Sequence, residues 1–173
     1  MSPPEKIRLL QPLTPEAEAL LSRAMYPDPE RIGQTLGRYR HDPELRVYGL
    51  YISYGLLEPG RFGCNPSRRQ PQGTQLTQAV PGRLACAAGV RLDGRQGELL
   101  HIGTAPELAG RGYGRRLIHE LMNQLGLERL QAQTDHQAAG FYRKAGFQVQ
   151  PTETSWGRRY LCWLNQSTIH PAT

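Results

Sequence analysis

Between Thr104 and Leu117 the chain reads Thr-Ala-Pro-Glu-Leu-Ala-Gly-Arg-Gly-Tyr-Gly-Arg-Arg-Leu, with glycine at 110, 112 and 114. Glycine at alternate positions lets backbone N–H groups turn the same way and lets a ligand approach without meeting a Cβ. The stretch joins a strand-like run to an amphipathic one, and a helix start adds free N–H groups and partial positive charge. Arg111, Arg115 and Arg116 add full charges. The chemistry this predicts is capture of a phosphate or pyrophosphate. Spacing excludes the commoner nucleotide motifs. A dinucleotide fingerprint needs a third glycine where Arg115 stands, and a P-loop needs Gly-Lys-Ser/Thr. His119-Glu120 is followed by Asn123 instead of a second histidine, so the zinc-protease signature fails too.

A second element follows at Gly140-Phe-Tyr-Arg-Lys-Ala-Gly-Phe147. From about Leu84 to Phe147 the two segments together resemble the GNAT superfamily of acyl-CoA-dependent N-acetyltransferases. The family pattern Arg/Gln-x-x-Gly-x-Gly/Ala falls on Ala109 to Gly114, and Phe-Tyr-x-Lys-x-Gly-Phe is matched at Phe141, Tyr142, Lys144, Gly146 and Phe147. The resemblance implies acetyl-CoA as co-substrate, with no metal. Its pyrophosphate would lie on Ala109, Gly110, Arg111, Gly112, Tyr113, Gly114 and Arg115. The splayed strand before them would pair its backbone with pantetheine and polarise the thioester, which maps onto Ile102, Gly103 and Thr104. Tyr142 takes the place of the general acid for the leaving thiolate. Glu98, early on that strand, takes the place of a general base, with water or His101 as alternatives.

The chemistry is consistent with these roles. An alkylamine has a pKa near 10.4 and must lose a proton before it attacks. A fixed backbone N–H stabilises the thioester oxyanion without reorganisation. A phenol near 10 can donate to a thiolate whose acid has a pKa near 8.5. The chain departs from the family at three places. Ala109 replaces the usual Arg or Gln. Asp135-His136 stands where many members place a pantetheine-contacting asparagine. Residues 55–82 are much longer than the expected hairpin.

The elements that must position these residues are legible as a series. Thr14-Pro15-Glu16 and Asp28-Pro29-Glu30 are helix starts. Ala17, Leu20, Leu21 and Ala24 form the first apolar stripe, and the second helix runs to about Arg40. Strands are expected at Leu45–Tyr54, Leu84–Leu92 and Glu98–Thr104. The first ten residues read as an arm or a first strand. Leu117, Ile118, Leu121, Met122 and Leu125 mark one face of a helix stopped by Gly126. A strand over Leu127–Gln133, a helix over Gln137–Lys144, a strand opening at Phe147 and a last strand at Tyr160–Leu164 complete the order. Alternation puts His101 on the opposite face from Glu98, packed or hydrogen-bonded. This order predicts an α/β domain with a mixed sheet. The resemblance implies one GNAT-like domain over residues 1–173, a mostly antiparallel twisted sheet flanked by helices, with splayed middle strands.

Composition sets the outer limits. The chain has 173 residues, 19 glycines and 14 prolines. Nine of these fall between Gly55 and Gly82, a stretch that reads as a long loop insertion, disordered or a substrate lid. It carries Arg61, Arg68 and Arg69 against Glu58. The net charge is +6 and all but two of the 21 basic residues are arginine. Nucleic-acid binding is disfavoured, because no reader motif accompanies the charge. No apolar run reaches the roughly 18 residues of a membrane span, and Met1 to Lys6 lacks the apolar run of a secretory signal. Cys64, Cys86 and Cys162 are odd in number and widely spaced, which fits a reducing cytoplasm and neither a disulfide framework nor a zinc finger. The function expected is acetyl transfer from acetyl-CoA to a primary amine, on a small molecule or a protein, by direct attack. A non-catalytic acyl-CoA sensor on the same fold is the rival. The protein is expected to act as a monomer or homodimer.

Overall fold

The computed structural model describes residues 7–52, 82–155 and 157–169. Both N-terminal helices start where a polar cap precedes proline. Thr14 Oγ1 accepts the Ala17 N–H at 3.3 Å and opens α1 (Pro15–Ser22). Asp28 Oδ1 accepts the N–H groups of Glu30 and Arg31 at 3.1 and 3.2 Å and opens α2 (Pro29–His41). Ala24 lies past the end of α1 and is exposed, because the chain has already turned toward α2.

The strands are β1 (Ile7–Leu9), β2 (Leu45–Ile52), β3 (Arg83–Asp93), β4 (Gln96–Thr104), β5 (Arg129–Thr134), β6 (Gln148–Thr154) and β7 (Gly157–Asn165). They form one sheet in the order β1-β2-β3-β4-β5-β7-β6. Only the β4–β5 pair is parallel; the others are antiparallel. Three further helices are α3 (Tyr113–Gln124), α4 (His136–Lys144) and the short α5 (Gln166–Ile169), which the sequence did not announce. Two strand starts differ from expectation for one reason. Gly126 (φ 61°) and Gly146 (φ 100°) end α3 and α4 in left-handed turns. The next amides, of Leu127 and Phe147, then bond back to the carbonyls of Met122 and Tyr142 at 2.9 and 3.0 Å. Each therefore closes a helix before the strand begins. Residues 53, 54 and 55–81, the end of the expected second strand and nearly all of the expected long loop, lie outside the described residues.

β3 shows how the two layers fit. Ala85 and Ala87 pack with Leu20, Leu21 and Tyr39 of α1 and α2, whereas Cys86, Ala88 and Val90 pack with Leu117, Leu121 and Met122 of α3. Small side chains on both faces let helices approach closely. Opposite β3, β4 carries a bulge. Val90 pairs with Leu99 and Gly89 with His101, leaving Leu100 as the extra residue. An extra residue shifts the alternation beyond it. His101 and Gly103 therefore share the α1–α2 face with Glu98, and the opposite-face expectation for His101 is corrected by the bulge.

At Gly103 the approach is closest, for a Cβ there overlaps the backbone carbonyl of Leu20. Backbone cannot swing aside as a side chain does. Gly103→Ala is accordingly expected to cost about 3 kcal/mol through overpacking, lowering the melting temperature by roughly 6–12 °C. Calorimetry checks this, and an unchanged melt contradicts the packing. Among the described residues no helix is long and apolar enough to cross a membrane.

Candidate active site

The site begins where the sheet comes apart. β4 and β5 pair only from Gln96–Arg129 to Leu99–Ala132. At Leu100 the bulge bends β4 away, as bulges do. Beyond it, β4 keeps its bonds to β3 while Gln133 and Thr134 keep theirs to β7. Among the described residues the β5-facing edge of β4 from Leu100 to Thr104 has no strand partner, and paired backbone groups are the rule in buried sheets. A cleft of about 1200 Å³ opens there. Leu100, His101, Ile102 and Thr104 line one wall, Thr134 to Ala138 with Phe141 and Tyr142 the other. The α1–α2 connection and Arg158–Arg159 of β7 close the far side.

Beside the cleft the glycine-rich turn takes the form its sequence requires. Gly110 and Gly112 have φ of 75° and 83°, the left-handed region that favours glycine. Gly112 is the N-cap of α3 and supplies no side-chain cap. The first backbone bond of α3 runs from Arg116 N–H to Gly112 O at 3.0 Å. The amides of Tyr113, Gly114 and Arg115 precede it and stand among the unpaired N–H groups of a helix start. Ala109, Gly110, Arg111, Gly112 and Arg115 are exposed, Tyr113 is half-buried and Gly114 is buried. Gly114 seats α3 against α4, since a Cβ there meets the Phe141 ring at 3.0 Å. The turn thus presents an uncapped helix start to solvent on one side and adjoins the cleft through Phe141 and Thr104.

Tyr142 is 6% exposed. Phe141 and Phe147 meet its ring edge-on, both with centroids at 5.2 Å. Burial first, then the nearby Cys162 and Asp135, pushes its phenol up to about 12. Asp135 Oδ1 accepts the Ala138 N–H at 2.9 Å, so this residue caps α4 at the position where the family's asparagine was expected. His136 Nδ1 lies 3.1 Å from the Tyr160 hydroxyl.

On the opposite wall His101 Nδ1 lies 2.7 Å from the Tyr39 hydroxyl. Tyr39 is buried over Gly89, where any Cβ would overlap its phenol oxygen. Burial raises the Tyr39 phenol, so it keeps its proton, and burial lowers the His101 imidazole below its ordinary value. His101 Nε2 makes no hydrogen bond among the described residues. Glu98 does not line the cleft. Its Oε2 is held 2.9 Å from Arg91 Nη1 on β3, and its charge acts on Tyr39. The structure therefore brings Ile102, Thr104, Tyr142 and His101 to one cleft, with Gly103 behind the wall under α1 and Glu98 behind the Tyr39–His101 pair.

Cys86 is no nucleophile: burial, partly offset by the Thr104 hydroxyl at 3.4 Å, pushes its thiol up to about 11. Among the described residues no group of three or more His, Cys, Asp or Glu could hold a metal ion. Tyr39, Arg91 and the arginines of the far wall were invisible to local sequence patterns, because only tertiary packing brings them to β4.

Residues 68–149 match the family model of the acetyltransferase (GNAT) domain. No curated protein matches the chain in sequence. Among solved structures it is similar to a Bacillus subtilis acetyltransferase in complex with CoA, at 14% identity and a TM-score of 0.57, over 93% of this chain and 98% of that one. A mutant spermidine N-acetyltransferase from Vibrio cholerae aligns at 14% identity and a TM-score of 0.60, over 96% and 98%. A GNAT family acetyltransferase from Elizabethkingia anophelis with acetyl-CoA bound aligns at 15% identity and a TM-score of 0.56, over 92% and 97%. At such identities the likeness is one of fold.

Proposed function

We propose that this chain, a member of the GNAT superfamily of acetyltransferases, transfers an acetyl group from acetyl-CoA to a primary amine by direct attack. The observation that carries this reading is the parting of β4 and β5 beside an uncapped helix start. An unpaired strand edge suits an amide-bearing arm such as pantetheine, and bare N–H groups at a helix start suit a pyrophosphate. Gly110 to Arg115 hold the pyrophosphate, with Ala109 leaving the contact to backbone and to Arg111. Ile102, Gly103 and Thr104 offer backbone to the arm and one N–H to the thioester oxygen.

The proton of the ammonium passes to His101 Nε2, whose Nδ1–H donates to the Tyr39 oxygen in the tautomer that leaves Nε2 basic. The amine lone pair then forms the C–N bond, the nitrogen gives up its extra proton to water, the oxyanion collapses and the C–S bond breaks. Tyr142 donates a hydrogen bond to the departing sulfur. A phenol pushed up to about 12 is a weaker acid than a thiol near 8.5, so its part is to carry the sulfur charge, and water supplies the thiol proton. Glu98 stands one step back, paired with Arg91, and reaches His101 only through Tyr39.

The test is release of free thiol from acetyl-CoA by the purified protein with a panel of primary amines. Acetyl-CoA binding without thiol release from any amine would leave an acyl-CoA sensor on this fold. Tyr142→Phe is expected to lower kcat by roughly 10–100-fold, the worth of a hydrogen bond to a charged atom. Acetyl-CoA affinity should stay within about twofold, because the packing of the ring is retained. An unchanged kcat removes Tyr142 from the reaction.

A further inference from the structure

On the reading of the cleft as an N-acetyltransferase site, we propose that the acceptor is a primary amine carrying its own anion, a carboxylate or a phosphate. The far side of the cleft, away from the glycine turn, is lined by Arg23, Arg31, Arg158 and Arg159. Among the described residues the one carboxylate on the lining is Asp135, and its Oδ1 is engaged in capping α4. Two of the four arginines are partly neutralised: Arg31 lies 3.6 Å from Asp28, and Arg158 lies 2.9 Å from Glu153.

Arg159 and Arg23 are not. Neither has an ion pair or a side-chain hydrogen bond among the described residues. Arg159 is half-buried and immediately precedes Tyr160, the β7 residue that pairs with Thr134 at the end of β5, at the lip of the cleft. A guanidinium partly withdrawn from water without a partner is costly unless something else supplies the anion. Its planar fork suits a carboxylate or phosphate held through two parallel bonds. An amine with an anion at its other end satisfies Arg159 while its nitrogen reaches toward His101. A polyamine, the acceptor class in the name of the Vibrio cholerae relative, instead brings cations to a cationic wall.

Thiol release should be measured with matched amines: β-alanine against β-alaninamide, phosphoethanolamine against ethanolamine, and spermidine as the polycation. The anionic member of at least one pair is expected to show a kcat/KM about 10-fold or more above its neutral partner and above spermidine, and the pair that does so tells carboxylate from phosphate. Arg159→Gln should bring that ratio to within about threefold, and Arg159→Glu should invert it. A ratio is internal to each variant and does not depend on how much of it folds. Neutral amines or spermidine used as well as anionic ones overturn the proposal and leave the acetyltransferase reading standing. An Arg159→Glu enzyme with its ratio intact and a weakened acetyl-CoA affinity assigns the arginine to the cofactor and also overturns it. No thiol from any amine overturns the underlying reading, and the proposal with it.

Discussion

His101→Ala is expected to lower kcat by roughly 100-fold or more, the usual worth of a positioned general base. The residue lies on the cleft wall, one nitrogen fixed on Tyr39 at 2.7 Å and the other unengaged among the described residues. Desolvation lowers its pKa from 6.5. The sign follows directly: the base is competent when neutral, so activity is lost as pH falls through a value below the ordinary imidazole range and is retained above it. The pH profile of kcat at saturating acetyl-CoA should therefore show an ascending limb below about 6.5. In His101→Ala that limb disappears, and the rate follows the deprotonation of the amine near 10.4 instead. Glu98→Gln, one step removed, is expected to change kcat by less than about fivefold, because its carboxylate is held by Arg91 and does not line the cleft. Gly89→Ala tests the support from behind, since a methyl there displaces the Tyr39 phenol. It should weaken the limb's definition as well as the rate. A His101→Ala enzyme with the wild-type rate and profile transfers the base to water and removes this residue from the mechanism.

Gly112→Glu should weaken acetyl-CoA binding by more than about 100-fold, or roughly 2.7 kcal/mol. Two costs combine. The backbone at 112 has φ 83°, and an ordinary side chain in that conformation costs roughly 1–2 kcal/mol. The carboxylate then stands at the N-cap of α3, ahead of the amides of Tyr113, Gly114 and Arg115. There it repels a pyrophosphate and can occupy the free N–H groups itself. Gly112→Asn separates the two, because asparagine tolerates the left-handed region and adds no charge. Titration calorimetry should rank wild type, Asn and Glu in falling affinity. Equal affinities across the three dissociate the turn from the phosphates.

Which features were legible in the sequence follows from the range of the forces that set them. Both polar caps before proline, the apolar face of α3 and the glycine stops at 126 and 146 are local, and the helices stand where these signals lie. The glycine turn was legible because its backbone conformation is demanded by residue type. The Tyr39–His101 bond was not, for it joins residues 62 apart in sequence across a gap that exists only because Gly89 has no side chain. Arg159 was equally hidden. It reads locally as one more basic residue in an arginine-rich chain, and only the pairing of β7 with β5 brings it to the cleft. His101 stands on the other face from the one plain alternation predicts, because the hydrogen bonds of β4 admit an extra residue.

That extra residue, Leu100, works like a frameshift. Upstream of it the strand spells one message on the face under α1 and α2; downstream the same face is read in a new frame. Were Leu100 itself to pair with Gly89, with no residue left over, the old frame would run on. Ile102 would then come under the helices and Gly103 would move to the cleft, leaving a branched side chain where only a hydrogen fits against Leu20. One residue therefore sets both where the sheet opens and which side chains the opening receives, so a one-residue shift of register along β4 should be far less tolerated than most substitutions.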